Sequence, residues 1–331
     1  MAKVKIADLF KAELWTPDFV NEAPVLKNIL NSGLITTNEE LQKIVNAQSA
    51  GYRFELPYVD EPDYVEPEYM DDSDDELTTK KIDWANMFAV ITMAQNSYKF
   101  ANITQKLNRD SDPLKLLRDS IVGNYWALDL QSRITSIASG LANKAGDALT
   151  KDVADDTEDG DAVLLTPDVV VDTIGLQGDM QDKFTFMFIH SKVYGDLKKQ
   201  NLISSIPQSD QVKPIEYYGT YRIVVNDKMP VIQGTNKKKY LSLIAQDGLI
   251  AYGDKTLGDD MPTLELYRNP LSGKGAGDTS IITRRGFLAH PIGWSYNKSD
   301  MNPTLANLAN KDNWTMKFKP KQQKFVAVIT N

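Results

Sequence analysis

The 331-residue sequence contains no cysteine, which excludes a disulfide scaffold, a thiolate zinc site, an iron–sulfur cluster and a Cys nucleophile. Its two histidines, His190 and His290, are too few for a multi-His metal centre. No stretch approaches the ~18 uninterrupted apolar residues of a membrane-spanning helix. The opening residues, Met1-Ala-Lys-Val-Lys-Ile-Ala-Asp-Leu-Phe10, lack the apolar core of a secretory signal, so folding in a cytoplasm-like compartment is expected. Catalytic motifs are missing as well. There is no GxSxG and no HExxH. The cluster Gly273-Lys-Gly-Ala-Gly277 has neither Walker A nor GxGxxG spacing and reads as a turn. Neither histidine has a convincing acid or nucleophile beside it in sequence, and both read as structural. No cofactor, no metal and no enzymatic activity is expected. The basic runs Arg284-Arg285 and Lys237-Lys238-Lys239 are not interleaved with aromatics, so they do not form a sequence-reading nucleic-acid stripe.

What is present is ordinary globular composition, 42% hydrophobic and 25% charged, enough for one large or two ordinary domains with a real core. The net charge of −8 is concentrated. Residues 60–76, Asp-Glu-Pro-Asp-Tyr-Val-Glu-Pro-Glu-Tyr-Met-Asp-Asp-Ser-Asp-Asp-Glu, hold ten carboxylates and no cation. Without them, 35 carboxylates remain against 37 lysines and arginines. Such a run favours extended, solvated chain or contact with a basic partner. A second cluster, Asp152, Asp155, Asp156, Glu158, Asp159 and Asp161, reads as a flexible acidic surface loop. It fails as an EF-hand: counted from Asp155, Gly160 fits the sixth position but Thr166 stands where the closing Glu belongs.

Along the chain, short helices are expected over 5–12, 24–32 and 41–47, the last starting from Asn38. Alternating strands at 51–59 and 82–93 flank the acidic run, a two-stranded excursion reaching on the order of 50 Å if fully extended. A hairpin of that size is marginal alone and suits a chain supported by another subunit. Leu114, Leu117, Ile121, Tyr125 and Leu128 mark a long helix over 111–142, opened by Asp112 and Pro113. Gly123 within it suggests a close helix–strand contact. An acidic linker, 145–166, follows. Beyond it, helices are expected after Thr166, at 192–200 with Ser191 as cap, and at 303–311. Strands are expected at 184–189, 217–227 with Gly219 at a turn, 240–245, 248–252, 264–268, 280–290 and 324–330. Helices and strands mix without strict βαβ alternation, so the fold class is α+β.

The order of these features resembles the major capsid proteins of tailed bacteriophages, which have the Hong Kong 97-type fold. The resemblance rests on Ser32-Gly-Leu-Ile-Thr-Thr37, Gly51-Tyr-Arg-Phe-Glu-Leu-Pro57, Asp112-Pro113, Tyr125-Trp126 and His190-Ser-Lys-Val-Tyr-Gly-Asp-Leu197. It continues through Tyr267-Arg-Asn-Pro270, Arg284-Arg-Gly-Phe-Leu-Ala-His-Pro-Ile-Gly293 and Asn313-Trp314. It implies an N-terminal arm (1–50), an extended loop over a neighbouring subunit (51–82) and a peripheral domain with a spine helix (83–164). An axial domain (165–255), peripheral return strands (256–300) and an axial C-terminal helix and strand (301–331) complete it. It further implies self-assembly into pentamers and hexamers of an icosahedral shell around double-stranded DNA, bound without sequence specificity and away from membranes. Portal and scaffolding proteins, and a cement protein, would be partners. The virion capsid would be the destination, reached by assembly in the host bacterial cytoplasm. Inter-subunit charge pairs are expected between Asp71, Asp72, Asp74 and Asp75 and a basic patch drawn from Arg284, Arg285, Lys237, Lys238 and Lys239. Some members of that family join a loop Lys to an Asn of another subunit. Here Lys80 and Lys81 stand at the loop's base, and no such bond is expected. On the residues alone, another virion or surface-layer protein, or a hydrolase with an acidic cleft, stays open.

Overall fold

The computed structural model describes residues 32–47, 53–59, 64–70, 84–103, 122–158, 160–206, 215–258 and 260–331. The helix expected at 5–12, all but Ser32 of the one expected at 24–32, the Asp112 cap, Lys80, Lys81 and most of the acidic run lie outside the described residues.

The N-terminal part supplies β1 (Ile35–Thr36), α1 (Glu39–Ala47), β2 (Arg53–Val59), β3 (Trp84–Ala101), α2 (Val122–Ala145) and β4 (Thr150–Asp152). The middle supplies α3 (Pro167–Gly175), β5 (Phe186–Ile189), α4 (Ser191–Lys199), β6 (Ser204–Ile206), β7 (Ile215–Tyr218), β8 (Tyr221–Val225), β9 (Val231–Gln233) and β10 (Lys238–Ala245). Then come β11 (Ile250–Lys255), β12 (Leu264–Asn269), β13 (Asp278–Pro291), β14 (Trp294–Tyr296), α5 (Leu305–Ala309), β15 (Trp314–Met316) and β16 (Phe325–Thr330).

Two mixed sheets carry the fold. The first runs β1-β11-β13-β3-β2, with β12 also on β13. The second runs β4-β16-β10-β5-β8-β7-β6, with β9 also on β10. A small β14–β15 ladder stands apart from both. The α+β class follows. In the second sheet, β5 (Phe-Met-Phe-Ile) and β16 (Phe-Val-Ala-Val-Ile-Thr) are buried throughout, the pattern of strands covered on both faces. The 24-residue α2, about 36 Å long, sends Leu130, Ile134, Ile137 and Leu141 into the main core with Phe188, Leu243, Val326, Trp294 and Trp314. A satellite core of Val45, Ala89, Ile91 and Leu288 seats α1 on the first sheet.

Several expectations shift. Strand β3 runs on past Met93 to Ala101, because β13 pairs with it from Ile91 to Ala101 and holds a polar stretch in register. The strand expected at 248–252 runs over Ile250–Lys255 and pairs with β13 in the first sheet. Thr150–Asp152, inside the stretch expected to be a linker, is a strand that pairs in parallel with β16 in the second. His190, not Ser191, caps α4: its Nδ1 accepts from the Lys192 N–H at 3.1 Å.

The described residues of the acidic stretch, 152–158 and 160–161, are tied down and not a loose loop. One Asp156 carboxylate accepts the backbone N–H groups of Thr235 (2.8 Å), Asn236 (3.0 Å) and Lys237 (3.0 Å), closing the β9–β10 turn. Those donors, Lys237 first, hold its carboxyl down at about 2. The Asn331 side chain accepts from the N–H groups of Asp155 and Val163 and ties the same stretch to the end of β16. Asp156→Ala is expected to speed amide hydrogen exchange at Thr235, Asn236 and Lys237 while leaving β5 and β16 protected. Unchanged exchange in that turn would refute the clamp. Because the folded carboxyl lies below its ordinary value, the clamp is complete above about pH 4 and is lost as pH falls toward 2.

Candidate functional site

The β2–β3 hairpin carries large exposed side chains at its outer end. Its ladder runs from Arg53 opposite Val90 to Val59 opposite Trp84. At ~3.3 Å per residue the seven-residue arm reaches roughly 20 Å before the acidic segment begins. Trp84 is 74% exposed and its cross-strand neighbour Val59 is half exposed. In the segment 64–70, Tyr64 is 88% exposed, and Val65, Tyr69 and Met70 stand in solvent beside Glu66 and Glu68. Monomeric proteins seldom leave such an apolar row uncovered.

The root of this hairpin is fixed. The Arg53 guanidinium lies 3.9 Å from the centre of the Phe88 ring and donates to Ser299 Oγ at 3.2 Å. Phe88 N–H donates to Ser295 Oγ (3.1 Å), and Met93 N–H to Asn302 Oδ1 (2.6 Å). Tyr58 meets Phe318 edge to face at 5.2 Å. The hairpin is thus anchored at its base, while the described part beyond its ladder, 64–70, stands bare, acidic and aromatic.

The expected basic partners fall into two separate patches. Arg284 and Arg285 sit on β13 of the first sheet. Arg284 pairs with Glu265 at 2.7 Å and donates to Pro262 O at 3.2 Å. Arg285 donates to the Tyr252 hydroxyl (2.6 Å), reaches Asp254 (3.3 Å) and lies over the Tyr252 and Phe287 rings. Burial, and a hydrogen bond to Asp254, push the Tyr252 hydroxyl well above its ordinary range, so it stays protonated beside that arginine. Lys237, Lys238 and Lys239 stand at the β9–β10 turn of the second sheet. Lys237 Nζ donates to Gly160 O (2.5 Å), Lys239 reaches Asp152 at 3.6 Å, and Lys238 is exposed. Asp71, Asp72, Asp74 and Asp75 lie outside the described residues.

The histidines occupy unlike settings. His190 is committed to its cap and lies 5.0 Å from the Tyr240 ring. His290 is buried, its Nε2–H donating to Trp294 O at 2.8 Å beside a cavity of about 20 Å³ lined by Thr92, Arg133, Phe287, Tyr296 and Trp314. That space suits one water molecule at most. Among the described residues, no group of three or more Asp, Glu or His side chains could hold a metal ion. Sequence reasoning missed Gly140, where α2 approaches α5 closely enough that a Cβ would stand 2.3 Å from Leu308 O. Nothing local distinguishes that glycine from Gly123.

No protein-family model matches the chain. Its fold is that of the Hong Kong 97-type capsid proteins. It aligns with the capsid of Ralstonia phage GP4 over 100% of this chain and 98% of that one, with TM-score 0.56 and 11% identity. Against the capsid asymmetric unit of cyanophage Pam1 the coverage is 99% and 98%, with TM-score 0.59 and 9% identity. In sequence it is 28% identical over 332 residues to the major capsid protein of Bacillus phage SPP1, spanning 98% of each chain. The resemblance to the major capsid proteins of tailed bacteriophages therefore holds in sequence and in fold.

Proposed function

We propose that this chain is the coat subunit of an icosahedral phage shell, assembling as pentamers and hexamers around double-stranded DNA. Its work is done by interfaces and not by an active site. The supporting observation is the β2–β3 hairpin, fixed at its root and bare at its acidic, aromatic tip. In this reading the six-stranded sheet with α2 forms the peripheral domain and the eight-stranded sheet forms the axial domain. Residues 1–50 act as an arm and 51–82 as a loop over a neighbour. Assembly in the host cytoplasm, with portal, scaffolding and cement proteins as partners, completes the reading.

Charge steers the tip. A segment with ten carboxylates and no cation repels its own copies and seeks a basic surface, with a strength that falls as salt rises. Arg284, Arg285 and Lys237 to Lys239 remain the proposed surface. Their intrachain partners at Glu265, Asp254, Gly160 and Asp152 would have to share or yield them. Replacing Asp71, Asp72, Asp74 and Asp75 together by Asn is expected to leave subunits folded by circular dichroism and to slow or misdirect assembly. Negative-stain microscopy of the sized product reads the result. Normal shells at the normal rate would reject the role given to these carboxylates.

A further inference from the structure

The outer edge of β12 is unusual. Its inner edge pairs with β13 from Leu264 opposite Thr283 to Asn269 opposite Asp278. Among the described residues no strand pairs with its outer edge. Arg284 N–H donates to Thr263 O at 2.9 Å, which makes Thr263 and Arg284 a hydrogen-bonded pair of the antiparallel ladder. Bonded and non-bonded pairs alternate. Glu265, Tyr267 and Asn269 therefore turn their N–H and C=O groups toward β13, while Leu264, Leu266 and Arg268 turn theirs outward. Leu266 is 58% exposed and Tyr267 56%, with Leu264 exposed beside them. Soluble proteins blunt such edges with Lys, Pro, bulges or short strands. This edge reads Leu-Glu-Leu-Tyr-Arg-Asn and has none of the first two.

We propose that β12 pairs with β12 of a second copy, antiparallel about a two-fold axis through Leu266, joining two six-stranded sheets into one. A two-fold axis perpendicular to a sheet pairs only residues that share a face, so the paired residue numbers must differ by an even count. Centred on Leu266, the pairing sets Leu266 against its own copy and Leu264 against Arg268. These are the residues whose backbone groups point outward, so every outward N–H and C=O of the three finds a partner. A register centred on Tyr267 would bring Pro270 opposite Leu264 and lose a donor.

Side chains agree with this register. Tyr98, Ile281 and Leu266 lie opposite one another across β3, β13 and β12. The pairing extends that row into the same three residues of the second copy and covers Leu266. The proposal adds to the coat-protein reading a contact that the extended loop does not supply.

The absence of native cysteine makes the test direct. In a bonded antiparallel pair the Cα atoms are about 5.5 Å apart, inside disulfide range. Full-length Leu266→Cys, mildly oxidised both as free subunits and in assembled material, is expected to form a disulfide dimer on non-reducing gels. Its yield should exceed that of Leu264→Cys or Arg268→Cys alone by roughly ten-fold, since an ordered contact far outruns chance encounter. Each of those two residues lies about 13 Å along the strand from its own copy. They should cross-link only when Leu264→Cys and Arg268→Cys subunits are mixed. Equal yields at the three single positions, or no Leu266→Cys dimer in either state, would overturn the pairing. Shells that form without the Leu266 dimer reject this contact and leave the coat-protein reading standing. Leu266 dimers without shells do the reverse.

Discussion

Gly140→Ala is expected to destabilise the folded chain by about 3 kcal/mol, at the upper end of what overpacking a core costs. The sign is the informative part. In an exposed helix the same change stabilises by about 1 kcal/mol, because Ala loses less backbone freedom than Gly. Gly140 lies in the C-terminal part of α2, buried where that helix meets α5 and β15. A Cβ there would stand 2.3 Å from Leu308 O and 2.8 Å from Trp314 Nε1. Those two atoms are bonded to each other: the Trp314 indole N–H donates to Leu308 O at 2.8 Å. A carbonyl is backbone and cannot swing aside as a side chain would. The methyl must push α5 off α2, break a buried hydrogen bond, or both. Denaturant midpoints at constant slope would measure the loss. A midpoint equal to or above that of the parent would show that the helices have room to part, and would remove Gly140 from the set of fold-defining positions.

The contrast between Gly140 and Gly123 shows where the sequence is legible. A glycine in a helical pattern announces a close approach, but what it approaches is set by elements far along the chain. Features with local causes could be read. Asn38 starts α1, Pro167 opens α3, Gly219 takes φ +58° between β7 and β8, and the period-2 alternation of 53–59 finds its partner in β3. Pairings with non-local causes could not. The 248–252 run is visible as apolar, but periodicity carries no information on which sheet receives it. The Asp156 carboxylate looks solvated among its acidic neighbours, and its donors are contributed from about 80 residues away. The candidate site divides the same way. The acidic run is plain in the composition, whereas the ladder geometry that leaves Leu266 outward-facing on β12 emerges only once β13 is in place.

His290 is expected to make the fold acid-sensitive over a defined window, the second large effect. Burial lowers its imidazolium stability, and the hydrogen bond from Nε2 to Trp294 O only partly offsets this, leaving the group at about 4 against an ordinary 6.5. Arg133 lines the same cavity, held by Asp129 at 2.9 Å and by Pro303 O at 3.0 Å, and the Tyr296 hydroxyl donates to Asp300 at 3.1 Å. A second cation there would meet an arginine whose own carboxylate is already engaged. Between pH 6.5 and 4 the unfolded chain binds a proton that the folded chain refuses, so stability falls as pH falls. Below about 4 both states are protonated and this contribution levels off. The full loss is about 3 kcal/mol at 1.36 kcal/mol per pH unit. His290→Gln keeps an N–H for Trp294 O and removes the titration. The difference in unfolding free energy between parent and variant should therefore shrink by about that amount from pH 7 to pH 4. Parallel pH curves would show that some other group governs the acid limb. The location gives the effect a route outward. Trp294 belongs to β14, and the next residue, Ser295, accepts from Phe88 at the root of the β2–β3 hairpin. A proton forced onto His290 would therefore loosen the segment that holds the hairpin in place. Hydrogen exchange at Phe88 should rise over the same pH window in the parent and not in His290→Gln.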